Sequence, residues 1–181
     1  MNLISRLVQT ALVACCLSIL ALFWAGDARA ATNQTATAVI YSTSNPSERL
    51  GAATFSPTEG GLHISVVLDN AASGERGFHI HEVGSCEDGG MAAKGHFNPN
   101  NTKHGYLLQD GIENAHAGDL GNITIAPDGT GTLNLTLADL SLDDGKYAVR
   151  GHSVILHEKS DDPTAQPTGN AGGRIGCGII D

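Results

Sequence analysis

The chain has 181 residues and a net charge of −9, with 10 Lys and Arg against 19 Asp and Glu, which argues against the basic surface that nucleic-acid binding requires. Its 41% hydrophobic residues suffice for one modest core, so wholesale disorder is excluded as well. The 23 glycines and 4% aromatic residues point to many turns and exclude a coiled coil or helical bundle.

At the N-terminus, Arg6 precedes a mostly apolar run from Leu7 to Ala25, and Ala28-Arg29-Ala30 follows as a small-x-small cleavage pattern. This layout predicts a secretory signal peptide over residues 1–30 and a mature domain over residues 31–181. A retained membrane anchor and lipidation at Cys15, within Leu12-Val13-Ala14-Cys15, are the competing readings of the same run. Cleavage takes Arg6, Asp27 and Arg29 and leaves 151 residues at a net charge of −10. It also takes Cys15, Cys16 and the only tryptophan, Trp24. The mature chain is then exported, to a periplasmic or extracellular space, with no stable membrane association.

The remainder reads as strands and turns. Thr35–Tyr41 and Leu50–Phe55 are the first two strand candidates. Glu59-Gly60-Gly61 turns the chain into Leu62–Leu68, where Leu62, Ile64 and Val66 share a face. Gly77–Val83 comes next. Asn122–Ala126 and Thr132–Leu137 flank Pro127-Asp128-Gly129-Thr130, a strong hairpin signal. Tyr147–His157 contains a further strand, and Arg174–Ile180 can close the sheet. Around eight short strands with frequent turns predict an all-β sandwich or barrel. Gly84–Gly118 and Glu158–Gly173 break this rhythm, and loops that long in a compact domain are usually functional.

Two cysteines survive cleavage, Cys86 and Cys177. In an oxidising compartment one disulfide is the simplest reading; a pair of free or metal-binding thiols is the other.

The histidines carry the specific signal. His79 and His81 are two apart on a strand, so both rings point to one face and can reach one metal ion. His96, His104 and His116 follow in the long loop, with Asp119 three residues after His116. Three imidazoles and one carboxylate form a closed tetrahedral set suited to zinc. His157 ends the seventh strand candidate and can join His79 and His81; nitrogen-only ligation suits copper. Scattered solvent-exposed histidines are the bland alternative. His63 and His152 lie in strand patterns without a partner motif and read as surface or structural residues.

Five segments, in order from Gly77 to Cys177, resemble the copper/zinc superoxide dismutase family. They are Gly77-Phe78-His79-Ile80-His81-Glu82, Gly95-His96-Phe97-Asn98-Pro99, His116-Ala117-Gly118-Asp119-Leu120-Gly121-Asn122, His157-Glu158-Lys159 and Gly169-Asn170-Ala171-Gly172-Gly173-Arg174. The resemblance implies a Greek-key β-sandwich, or flattened barrel, of about eight antiparallel strands with two long functional loops. It implies one copper and one zinc ion per subunit. His79, His81, His96 and His157 match the copper ligands, and His96, His104, His116 and Asp119 the zinc ligands, so that His96 bridges the two. Asp161 matches the carboxylate that hydrogen-bonds a histidine from each set, with Asp162 the lesser candidate. Cys86 and Cys177 match the intrachain disulfide, and Arg174 the arginine lining the copper channel.

The activity so implied converts two superoxide anions to O₂ and hydrogen peroxide through a Cu(II)/Cu(I) cycle. His96 and Arg174 are then the catalytic residues, His96 as both ligand and proton carrier. The short link Val83-Gly84-Ser85-Cys86, and a Glu158–Gly173 loop without a Lys/Glu-rich stretch, look more like secreted bacterial members than the animal enzymes. The animal dimer is therefore not carried over, and a homodimer stays open. Two other classes compete. One is a copper/zinc-binding sandwich that buffers metal without turnover. The other is a plain adhesive or structural sandwich domain.

Overall fold

A computed structural model describes residues 35–181. The expected leader, its cleavage point and Cys15 lie outside the described residues.

Eight strands form where apolar residues alternate with polar ones. They are β1 (Ala36–Ser42), β2 (Arg49–Thr58), β3 (Gly61–Leu68), β4 (Gly74–His81), β5 (Asp119–Ile125), β6 (Gly131–Leu137), β7 (Ser153–His157) and β8 (Arg174–Ile179). Each begins and ends within a few residues of its predicted position, because the period-2 pattern decides which face is buried. In β1 the alternation is strict, with Ala36, Ala38 and Ile40 inside and the residues between them exposed. The predicted hairpin at residues 127–130 closes β5 onto β6. There the Asp128 carboxylate accepts from the Thr130 main-chain N–H at 3.0 Å and from its hydroxyl at 2.7 Å.

The strands close into one antiparallel barrel in the order β1-β2-β3-β6-β5-β4-β7-β8, and β8 returns to β1 through Tyr41↔Cys177 and Ser42↔Gly176. The runs β3-β6-β5-β4 and β6-β5-β4-β7 are two overlapping Greek keys, each with one connection that crosses the barrel. Phe55, Phe78, Ile40, Leu62, Ile64, Ile80, Ile123 and Leu156 are fully buried inside. Each contributes about 1.5–3 kcal/mol through the apolar surface removed from water.

Strands β4 and β7 depart furthest from one-sided burial, and the departure locates the site. β7 is buried along its whole length, and β4 from Gly77 to His81. In β4, Phe78 and Ile80 face the core, so His79 and His81 face outward, yet both are buried. They are covered by the two long loops, residues 82–118 and 158–173. The first loop is not featureless: it holds a 3₁₀ segment, Asp88–Ala93, and a one-turn helix, α1 (Leu107–Asp110). A disulfide joins Cys86 in that loop to Cys177 on β8, with Cα atoms 5.7 Å apart and a sequence separation of 91. Closing a loop of this length stabilises the fold by about 4–5 kcal/mol in the chain-entropy account. Ala93, Ile155, Cys177 and Cys86 pack as a small second core beneath the tether.

Candidate metal centre

Irregular pairing aims the candidate ligands. The β4–β5 register shifts between Gly77 and His79, and the β7–β8 register shifts between Leu156 and His157. Such bulges re-aim a side chain without breaking the sheet, and both occur beside a candidate ligand. An isolated antiparallel bridge between His81 and His96 brings the first loop across the end of β4. Gly118 makes that crossing feasible. Its N–H donates to the Phe97 carbonyl and its own carbonyl accepts from Ile80, each at 2.9 Å. A Cβ at Gly118 would lie 2.1 Å from the Ile80 carbonyl oxygen, so only glycine fits.

The result is two groups of four buried side chains. His79, His81, His96 and His157 form one; His96, His104, His116 and Asp119 form the other, with the ligand atoms of each group within 4.8 Å of one another. His96 belongs to both. The sequence-expected residues therefore converge in space, although they span residues 79 to 157.

The first group is arranged around facing lone pairs. The Nδ1–H of His81 donates to the Lys94 carbonyl at 2.9 Å, and that of His157 to the Gly172 carbonyl at 3.4 Å. Each ring then turns its unprotonated Nε2 inward, and the two Nε2 atoms lie 3.4 Å apart. Burial, followed by repulsion from neighbouring rings and from Arg174, pushes His81 down to about 2 and His157 down to about 3. Both are neutral at pH 7. Two inward lone pairs at this distance repel unless a cation lies between them. Nδ1 of His79, on a side chain 0% exposed, has no hydrogen-bond partner and belongs to the same cluster. Buried unpaired nitrogens of this kind call for a cation.

Asp119 organises the second group. Its Oδ2 accepts from the main-chain N–H of Gly105 at 2.9 Å and of His116 at 3.0 Å. Its Oδ1 lies 2.7 Å from Nδ1 of His96 and 3.1 Å from Nδ1 of His116. Burial opposes ionisation of this carboxyl, but the imidazoles of His104, His116 and His96 set against its oxygens outweigh it and hold Asp119 well below the usual carboxylate range. Burial lowers His96 to about 4, against the upward pull of Asp119. His104 behaves differently. Burial lowers it, but the adjoining carboxylates of Asp119 and Asp161 win and raise it to about 9. Its buried Nδ1, 3.1 Å from Asp119 Oδ2, again makes no hydrogen bond. Nitrogen with one carboxylate oxygen is a donor set that suits zinc.

Asp161 links the groups. Its Oδ1 lies 3.0 Å from Nε2 of His104 and 3.3 Å from Nε2 of His79. Those bonds override burial and hold Asp161 at about 2. The neighbouring Asp162 is exposed and bonds Thr164 instead. Arg174, the first residue of β8, donates from Nη1 to the Gly90 carbonyl at 2.5 Å and from Nη2 to the Lys94 carbonyl. Its guanidinium lines a cavity of about 230 Å³ together with His81, His96 and His157. His152, which lacks a partner motif, stacks on Phe97 at 4.2 Å and donates to the His81 carbonyl at 3.2 Å. His63 sits on the surface beside Thr136.

Sequence reasoning overlooked two kinds of residue. Gly169 lies against the His104–Asp161 pair at φ +73°, where a Cβ would sit 1.7 Å from Asp161 Oδ1. Asn122, which ends the segment His116–Asn122 with no role assigned to it from the sequence, grips Asp161 from both sides. It donates to the Asp161 carbonyl at 2.9 Å and accepts from its N–H at 2.7 Å.

Comparison with known proteins agrees with this geometry. Residues 50–180 match the family described as copper/zinc superoxide dismutase (SODC). An extracellular superoxide dismutase [Cu-Zn] from Caenorhabditis elegans is 38% identical over 143 residues, which cover 75% of this chain and 62% of that protein. This chain thus spans under two thirds of the nematode protein's length. Superoxide dismutase [Cu-Zn] 5 from Dictyostelium discoideum is 40% identical over 123 residues, covering 65% of this chain and 78% of the relative. Among solved structures, the Cu/Zn superoxide dismutase from Brucella abortus superposes with a TM-score of 0.68 at 28% identity, over 82% of this chain and 100% of the other.

Proposed function

The chain belongs to the copper/zinc superoxide dismutase family of oxidoreductases, and from that premise we propose that it converts two superoxide anions and two protons to O₂ and hydrogen peroxide. The observation that carries this reading is the sharing of His96 between two buried four-residue groups of different donor chemistry. His79, His81, His96 and His157 would hold copper; His96, His104, His116 and Asp119 would hold zinc. Bound there, copper supplies a one-electron couple, and zinc supplies a positive charge without redox chemistry.

The protein's own groups do the rest. His96 turns Nδ1 toward Asp119, which leaves Nε2 for the histidine-only group. In the neutral ring that Nε2 can accept a proton and return it to a peroxide anion leaving through the cavity. Asp161, hydrogen-bonded to His104 and 3.3 Å from Nε2 of His79, orients one ring from each group. Arg174 is anchored at both Nη atoms, so its charge stays at the cavity wall instead of sweeping through solvent. A planar guanidinium offers a small anion both charge and directed N–H donors. A local field of this kind outweighs an overall net charge of −9 at short range.

The test is metal content and superoxide dismutation measured on one reconstituted sample. Copper and zinc bound without accelerated dismutation favours the metal-buffering alternative. No bound copper or zinc refutes both.

Export is part of the proposal, with residues 1–30 as a cleaved leader. Support comes from the disulfide and from the extracellular nematode relative. Among the described residues no helix is long and apolar enough to cross a membrane. Trp24 is the only tryptophan, so exported protein should lack tryptophan fluorescence. Tryptophan emission from purified exported material would show that the leader stays attached.

A further inference from the structure

Gln166 is exposed, and it lies 62 residues from His104 in sequence, yet both the oxygen and the nitrogen of its side chain are engaged. Its Oε1 accepts from the main-chain N–H of His104 at 2.9 Å, and its Nε2 donates to the carbonyl of the same residue at 2.9 Å. A carboxamide presents one acceptor and a pair of donor hydrogens on adjacent atoms, so it can pair with one residue's N–H and C=O as a neighbouring strand would. A single hydrogen bond lets a peptide swivel about it. Two side by side fix both its position and its direction.

The loop around Gln166 is folded to present it. The Asp162 N–H donates to the Gly169 carbonyl at 2.9 Å, the Ala165 N–H to the Asp162 carbonyl at 3.0 Å, and the Gly169 N–H to the Ala165 carbonyl at 2.8 Å. The Asp162 carboxylate caps the turn by accepting from Thr164. Residues 162–169 are thus held by their own bonds, with the Gln166 carboxamide reaching across to the first loop.

The residue it grips has the most demanding placement in the centre. The His104 ring must meet Asp119 through Nδ1 and Asp161 through Nε2 at the same time. Asp161 comes from the same loop as Gln166 and is itself gripped by Asn122. One short loop therefore sets both the carboxylate at the end of the ring and the peptide at its base. A slip of either tilts Nδ1 away from the zinc group.

We infer that Gln166 is a positioning residue for that group: its two-point grip on the His104 main chain sets the ring angle before any ion binds, and so slows zinc loss. The inference rests on the proposed zinc site. Gln166→Glu keeps the size and the acceptor but puts an oxygen against the His104 carbonyl, and Gln166→Ala removes both bonds. Gln166 is exposed and outside the core, so both variants fold.

The readouts are zinc release from the metal-loaded protein to a chromophoric chelator and the visible spectrum of cobalt(II) in place of zinc. Both variants should release zinc at least about tenfold faster than the parent, as loss of supporting bonds around ligands commonly does. Their cobalt bands should shift, because the ligand field senses ring angle; a merely local loosening of the loop would leave them in place. Release within about twofold of the parent, with unchanged bands, overturns the inference while leaving the zinc site intact. A parent chain that takes up no zinc overturns the site and the inference together.

Discussion

Replacing Gly169 by alanine puts a methyl group where the structure has no room for one. The added Cβ would lie 1.7 Å from Asp161 Oδ1 and 2.6 Å from His104 Nε2. An ordinary contact needs about 3.5 Å, so the carboxylate must retreat by nearly 2 Å or the loop must lift. Either movement breaks the hydrogen bond from His104 Nε2 to Asp161 Oδ2, which now measures 3.2 Å. Hydrogen bonds involving a charged group are worth about 1.5–3 kcal/mol. Alanine at φ +73° adds a backbone cost of about 1–2 kcal/mol. The combined loss is about 2.5–5 kcal/mol, which for a domain of this size lowers Tm by roughly 5–20 °C. Scanning calorimetry of the metal-free protein measures the fall, and chelator competition measures a loss of zinc affinity of about 10- to 100-fold. A metal-free Tm within about 2 °C of the parent, with zinc affinity unchanged, would refute the reasoning.

The other predictions separate the roles of individual residues. His116→Ala should bind less than half the parent's zinc yet retain copper, because His116 belongs to only one of the two groups; equal zinc content in variant and parent would remove it from the ligand set. Arg174→Glu should lower kcat/KM for superoxide at least about tenfold at low ionic strength with both metals still bound, since it reverses the charge at the cavity wall. An unchanged value would show that the guanidinium does not attract the anion. For the metal-free protein, stability should fall as pH drops below 6.5. The unfolded chain then protonates His81, His96 and His157, whereas the folded chain resists down to about 2, 4 and 3. Asp119 and Asp161, depressed in the folded state, add to the same loss below the ordinary carboxylate range. His104 acts oppositely: raised to about 9, it stabilises fully below 6.5 and loses that contribution as pH rises through 9. Each unit between folded and unfolded values is worth about 1.4 kcal/mol, so urea midpoints at pH 7 and 4.5 should differ clearly. Equal midpoints would contradict the burial of the three neutral rings.

Much of this protein was legible before folding because its signals are local. Alternation such as Leu133, Leu135 and Leu137 against Asn134 and Thr136 marks β6, since a strand exposes every second side chain to one face. Asp128-Gly129 marks its hairpin for an equally local reason. The ligand residues were legible because their side-chain chemistry is rare and clustered: two histidines two apart, then three more and a carboxylate within a loop too polar to have a core. By contrast, Gln166 and Asn122 are ordinary polar residues with no distinguishing spacing.

What the sequence determined by itself is the strand pattern, the acidic charge and the kinds of donor atom available for metal. These depend on residue type and on neighbours within a few positions. What only the tertiary structure decided is convergence. It brought His79 and His104 onto Asp161 and gathered the ligand residues into two groups that share His96. It gave Gly169 its indispensable lack of a side chain, and it placed the Gln166 carboxamide on the main chain of a residue 62 positions away. Contacts of that range depend on where the barrel closes and where two bulges shift its register, and no local pattern encodes either.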